Sequence, residues 1–327
     1  MIDIEYLYYN KKYDALFNIY KKYKDDMTFT DKHCLFLGLS LFELGLYKEA
    51  SCLLLQRKKK NSFCYENYIA DMYLGLYYYS IGNYDLSKKY FYISKDVISQ
   101  SSDWCSFLFP KNKLKIIGKS FHFYFEKDFT KNDIDFFILK YEKAFDRINS
   151  FFKIRLKKKI DVFVYYGYKD EFDNNLSYSN SFLNTINVNH IDENGHEITH
   201  ILSRNLPEFD YRKLFFFVDE GIAECFNEKI YSYKNINYYK LDTVFSMWEY
   251  YKDYDINFVR LIAKIFITNL FNVGNREQFF KIIKNQSFEN FKEVYGNVLN
   301  EIDDLIIYNS NSMRLIDLYK NLTLKSF

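Results

Sequence analysis

The stretch N-G-H-E-I-T-H-I-L-S, residues 194–203, sets two histidines four apart with a glutamate directly after the first. On an α-helix, positions i and i+4 lie on one face. His196 and His200 would then aim their imidazoles at a single point, which suits two of the four tetrahedral positions of Zn²⁺. Glu197 projects to one side, where it can hold and deprotonate a water molecule. A third ligand is needed, and the apolar run L-F-F-F-V-D-E-G-I-A-E-C-F (214–226) is broken by Asp219, Glu220 and Glu224. Nineteen residues separate His200 from Glu220, room for a turn and an antiparallel helix that returns Glu220 to the ion. Glu224, one helical turn further on the same face, is placed to accept a hydrogen bond from the free N–H of a ligand histidine. Burying two acidic groups on an apolar helix is costly without a partner; a cation and imidazole N–H groups supply one. The alternative is an exposed acidic edge.

The pair H-E-I-T-H and V-D-E-G-I-A-E resembles the gluzincin zinc metallopeptidases, the group that holds thermolysin-like and aminopeptidase N-like enzymes. Its pattern is H-E-x-x-H, a gap, then an E-G-x-A-E helix. The resemblance implies that His196, His200 and Glu220 are the metal ligands, that Glu197 is the general base, and that Glu224 supports a ligand histidine. It covers about residues 115–310. Two departures stand out. The amine-gripping G-x-M-E-N segment of the aminopeptidase branch has no acidic counterpart in N-T-I-N-V-N-H (184–190). The position of that branch's oxyanion tyrosine falls at Phe258 or Val259, so the oxyanion stabiliser is left open among Tyr231, Tyr233, Tyr238, Tyr251, Tyr254 and His190.

Upstream of the motif, residues 120–127 and 159–166 are rich in aromatic and β-branched residues and read as strands. Between them, 132–152 has helical spacing, with Phe136, Tyr141, Phe145, Ile148 and Phe152 near one face. A short helix over 169–176 and a strand over 182–189 follow; the strand has few apolar residues and reads as a sheet edge beside which a substrate strand would add. Residues 261–285 and 287–306 read as C-terminal helices.

Residues 1–100 repeat themselves. The segment 38–55 aligns with 75–92 at an offset of 37, matching Gly38 with Gly75, Gly45 with Gly82, Tyr47 with Tyr84, and Ala50 with Ser87. A weaker copy upstream places Tyr13 and Leu16 at an offset of 34. Each unit reads as two amphipathic helices with a glycine at the turn, a small residue allowing close helix approach. The skeleton resembles the tetratricopeptide repeat, which implies a helical array able to hold a protein partner. A plain helical cap is the simpler reading. Residues 97–118, including the segment S-Q-S-S-D-W (99–104) as a loop, read as the joint to the second domain.

Composition bounds the rest. A chain of 327 residues with 48% hydrophobic residues can bury more than one core. A net charge of +2 gives no electrostatic reason for nucleic acid or an anionic membrane as partner. The basic runs at 57–60 and 157–159 read as solvated ends. Two prolines, ten glycines, 33 tyrosines and 34 phenylalanines mark an AT-rich coding bias and leave loops to Asn, Asp, Ser and Lys. Five scattered cysteines without a C-x-x-C pair argue against a disulfide framework or a cysteine zinc site. With no signal-like N-terminus and no apolar run of membrane-spanning length, the expected compartment is the cytoplasm.

The expectation is therefore an α+β chain, with tetratricopeptide-like repeats over 1–100 followed by a gluzincin-like domain over 112–327. Its expected cofactor is Zn²⁺ and its substrate a peptide or protein, with a protein partner possible on the repeats. A non-catalytic zinc-containing scaffold and an aminopeptidase or peptide maturase are the competing readings.

Overall fold

A computed structural model describes residues 3–25, 29–57, 65–165, 177–188, 195–227 and 256–301, with side chains from 259 in the last segment. The expected helix over 169–176, most of the basic run 57–60, Cys64, His190 and the tyrosines between 231 and 254 lie outside them. The chain is α+β and divides into two compact units, Met1–Lys113 and Leu114–Phe327.

The first unit is helical: α1 (Ile4–Tyr9), α2 (Tyr13–Tyr23), α3 (Asp31–Glu43), α4 (Tyr47–Gln56), α5 (Tyr65–Ser80), α6 (Tyr84–Ser94) and α7 (Ser99–Leu108). Helix α3 packs on α4 and α5 on α6, forming two hairpins of the same build. Each turns at a glycine with positive φ, Gly45 and Gly82. A methyl group at Gly38 would sit 2.7 Å from the Leu54 side chain, and one at Gly75 would sit 3.0 Å from the Phe91 ring. The absent side chain is what lets the paired helices approach. Ala50 and Ser87 are both fully buried in the seam, and the Ser87 hydroxyl donates to the Gly75 carbonyl at 2.8 Å. That bond explains how a serine takes the place of the alanine without leaving a buried hydroxyl unsatisfied.

Residues 99–104, expected as a loop, are helical and belong to α7. Serines read as loop-formers because their hydroxyls compete for backbone groups. Here Ser101 is buried, and its hydroxyl is paired with that of Ser94 on α6 at 2.8 Å. Small polar residues form a close helix contact that composition alone reads as a linker.

The second unit holds a five-stranded sheet in the order β1-β2-β3-β5-β4, built from β1 (Leu114–Ile117), β2 (Phe121–Phe125), β3 (Ile160–Val164), β4 (Tyr178–Asn180) and β5 (Thr185–Val188). Strands β2, β3 and β5 run parallel; β1 and β4 are antiparallel edges. Helix α8 (Lys131–Phe152) makes the crossover from β2 to β3. Alternate residues Phe121, Phe123, Phe125, Val162, Val164, Ile186 and Val188 join one apolar core with Ile134, Phe137, Tyr141, Ala144, Ile148 and Phe152 of α8. The buried stripe thus runs through Ile134 and Phe137, while Phe136, expected on the inner face, is 51% exposed. The Lys140 ammonium lies over its ring at 4.7 Å.

The expected edge strand needs correction. Thr185–Val188 is paired on both sides, with β3 and β4, and the edge is β4, Tyr178–Asn180. Few apolar residues suggest exposure, but Thr185 and Asn187 are polar and buried. The polar side of this sheet also buries Asp161, compensated by His122 Nδ1 at 3.0 Å and by the Lys158 ammonium. A strand can be interior with one polar face when that face is covered.

Beyond the sheet come α9 (His196–Arg204), a 3₁₀ turn (Tyr211–Lys213), α10 (Phe216–Cys225), α11 (Ile256–Val273), α12 (Arg276–Lys284) and α13 (Phe288–Tyr295). Helix α10 packs against both α9 and α11. Gly221 permits the second contact, since a methyl there would lie 2.7 Å from the Ala263 carbonyl oxygen. No helix among the described residues is long and apolar enough to cross a membrane.

Candidate metal centre

Helix α9 is enclosed by the sheet and α10, so every residue from His196 to Ser203 is buried. The Thr199 hydroxyl donates to the Gly195 carbonyl at 2.7 Å, and the Ser181 hydroxyl, just past β4, donates to the His200 carbonyl at 3.1 Å. These bonds tie the helix at its start and to the sheet. One turn of helix then brings His196 and His200 together edge to face, with ring centroids 4.7 Å apart.

Helix α10 supplies the third group. Glu220 Oε2 lies 3.3 Å from His196 Nε2, Glu220 Oε1 lies 3.4 Å from His200 Nε2, and the two Nε2 atoms are 3.1 Å apart. A tetrahedral ion with donors at ~2.0–2.1 Å separates them by about 3.3–3.4 Å along each edge. Each Glu220 oxygen lies about one such edge from the nearer imidazole, and the Nε2–Nε2 separation falls slightly short of it. His196, His200 and Glu220 are the one such donor group found among the described residues, and all three are buried.

Each imidazole is backed on its other nitrogen by a carboxylate. His196 Nδ1 lies 2.9 Å from Glu224 Oε1, and His200 Nδ1 lies 2.7 Å from Asp219 Oδ2. Both are ion-pair contacts that fall short of hydrogen-bond geometry. Carboxylates placed there hold the imidazoles with Nε2 turned to the common point and raise their donor strength. Asp219 is in turn gripped by both Nε and Nη2 of Arg204. Glu224 Oε2 accepts from Asn227 at 3.2 Å. From α11, Arg260 Nε donates to Glu220 Oε2 at 2.7 Å and stands 3.9 Å from Glu224 Oε1. Glu197 is 6% exposed and follows His196 on α9.

The charges carry the chemical argument. Four buried carboxylates, Glu197, Asp219, Glu220 and Glu224, gather around the imidazoles, with Arg204 paired to Asp219 and Arg260 to Glu220. Burial disfavours the charged form of His196, yet Glu220 and Glu224 overcome this and lift its pKa to about 10. His200 is raised likewise, burial opposing and Asp219 prevailing. Burial would raise the Glu220 carboxyl, but the two imidazoles hold it well below the usual range. The site therefore favours positive charge at the imidazole pair. Imidazolium ions supply it, and so does one divalent cation, which lets both histidines act as neutral ligands. The donor set, its spacing and its charge all fit such an ion.

The structure brings together His196, His200, Glu220 and Glu224 from the sequence reading. It adds Asp219, Arg204 and Arg260, to which that reading assigned no role. Asp219 had a signal, an acid beside a ligand glutamate in an apolar run. Arg204, four residues after His200, had a weaker one. Arg260 had none, forty residues beyond Glu220 with no motif around it. Val259, one of the two positions where the related oxyanion tyrosine falls, is buried at 1% exposure, and the candidate tyrosines and His190 lie outside the described residues.

No protein-family model matches this chain, and neither a curated protein nor a solved structure matches it.

Proposed function

We propose that the chain is a zinc-dependent metallopeptidase of gluzincin type that hydrolyses peptide bonds in a protein or peptide substrate. The observation that supports this best is the convergence of His196, His200 and Glu220 on one buried point walled by carboxylates. In this reading His196, His200 and Glu220 hold the ion, which supplies a Lewis acid that makes water nucleophilic near neutral pH. Glu197, beside His196 on the same helix, takes the proton from the attacking water and passes it to the leaving amine. Glu224 and Asp219 keep the imidazoles oriented. The antiparallel strand β4, next to α9 and at the sheet edge among the described residues, is where an extended substrate adds, in place of the interior strand β5.

The helix hairpins of the first unit are read as tetratricopeptide-like and dock the substrate or a protein partner. Cys34, Cys52, Cys105 and Cys225 form no disulfide, which agrees with work in a reducing compartment such as the cytoplasm. Elemental analysis of the purified chain is expected to find one zinc per molecule. Glu197→Gln is expected to keep the metal and lose cleavage of a mixed peptide library by at least 10²-fold. Full turnover by that variant, or by chelator-treated protein, would sink the proposal.

A further inference from the structure

Glu220 faces the histidine pair with both of its oxygens, Oε2 at 3.3 Å from His196 Nε2 and Oε1 at 3.4 Å from His200 Nε2. A carboxylate in that attitude can close on a cation with one oxygen or with two. With two, it fills the coordination position that a hydrolytic site must leave open. What distinguishes the two oxygens is Arg260. Its Nε donates to Oε2 at 2.7 Å, and no hydrogen bond among the described residues is made to Oε1. Arg260 belongs to α11, which packs along α10 with Ala263 and Ile267 pressed against Gly221. The guanidinium side chain is 10% exposed, so this charge-assisted bond is formed largely out of water, where it is stronger than at the surface.

We infer that Arg260 is a positioning residue that confines Glu220 to one-oxygen ligation by holding Oε2 away from the cation, and so keeps one coordination position open for water and substrate. This rests on the metallopeptidase reading above and deepens it. Charge and geometry then pull in opposite directions on substitution. Replacing Arg260 by a neutral residue removes a positive charge from a site that binds a cation, which strengthens binding. It also frees Oε2 to become a fourth donor, which strengthens binding again while closing the open position. A residue that merely braced the fold would, on loss, weaken metal binding and activity together.

The test uses the full-length chain loaded with Co²⁺ as a visible reporter of the ligand set, alongside Zn²⁺ competition against a chromophoric chelator and cleavage of a peptide library. Arg260→Gln is expected to bind Zn²⁺ at least as tightly as the parent, to show a visible Co²⁺ spectrum that departs from the parent's as a carboxylate oxygen replaces water, and to lose kcat by 10- to 100-fold. Arg260→Lys, which retains a cationic donor, is expected to keep the parent Co²⁺ spectrum and to recover most of the lost kcat; it also carries the test should Arg260→Gln not fold. A parent-like spectrum and kcat in Arg260→Gln would overturn the inference. So would a 100-fold loss of Zn²⁺ affinity in that variant, or a Co²⁺ spectrum in Arg260→Lys that departs from the parent's. A parent that takes up Co²⁺ but cleaves nothing defeats the peptidase reading while leaving the spectral comparison decisive for Arg260. A parent that takes up no metal defeats both.

Discussion

Replacing Glu224 by Gln tests the charge argument where it is most direct. Glu224 is fully buried, its Oε1 lies 2.9 Å from His196 Nδ1, and its Oε2 accepts from Asn227. Glutamine preserves the shape and one acceptor but removes the negative charge. Across the width of one imidazole the carboxylate acts on a divalent cation over roughly 7 Å, worth about 5 kcal/mol at an effective dielectric of about 20 before any screening. Substitutions of such outer carboxylates generally cost about 10- to 100-fold in metal affinity, which is about 1.4–2.7 kcal/mol. The Coulomb figure is an upper bound and the second range lies within it, so Glu224→Gln should weaken Zn²⁺ binding by at least tenfold in chelator competition at pH 7. The direction is opposite to that expected for Arg260→Gln, although both residues contact the same cluster. Equal affinities of parent and Glu224→Gln, within about twofold, would refute the charge balance on which the metal assignment stands.

Asp219→Asn probes the same cluster through acid stability of the metal-free chain. Burial would raise this carboxyl, but His200 and Arg204 hold it at about 2 against an ordinary 3.8, so its contribution is complete above 3.8 and is lost as pH falls through 2. That contribution is on the order of 2 kcal/mol, and urea unfolding between about pH 4 and 2 should be flatter in the variant. Gly221→Ala places a methyl 2.7 Å from the Ala263 carbonyl oxygen. Overpacking of about 1–3 kcal/mol outweighs the ~1 kcal/mol gained in helix propensity, so the midpoint of denaturant unfolding should fall; a rise would refute the close α10–α11 contact. In the first unit, Arg57 and Asp71 form a 2.6 Å ion pair with side chains only 2% and 4% exposed. Asp71→Ala strands that guanidinium and should cost about 3–5 kcal/mol in thermal or urea unfolding, whereas an exposed pair would cost under about 1 kcal/mol.

What the amino-acid sequence by itself determined is local and periodic. The i, i+4 spacing of His196 and His200 becomes geometry as soon as the segment is helical, because a helix fixes the angle between those positions. The glycine pairs Gly38/Gly75 and Gly45/Gly82 work the same way, since close approach and positive φ are demands on single residues. The aromatic strands flanking α8 were legible for the same reason, from alternation over a few residues. What only the tertiary structure decided depends on neighbours distant in the chain. Nothing near Arg260 announces that it bonds to Glu220, because the bond exists only through the packing of α11 on α10. Asp219 gains its role from the angle between α9 and α10, which sets it against His200. Thr185 and Asn187 read as exposed and are buried, and Ser99–Leu108 opens as a loop in composition and is a helix, because polar side chains lose their surface bias once partners or cover reach them. Propensity and period are properties of a segment, whereas charge compensation and strand order are properties of the assembled core.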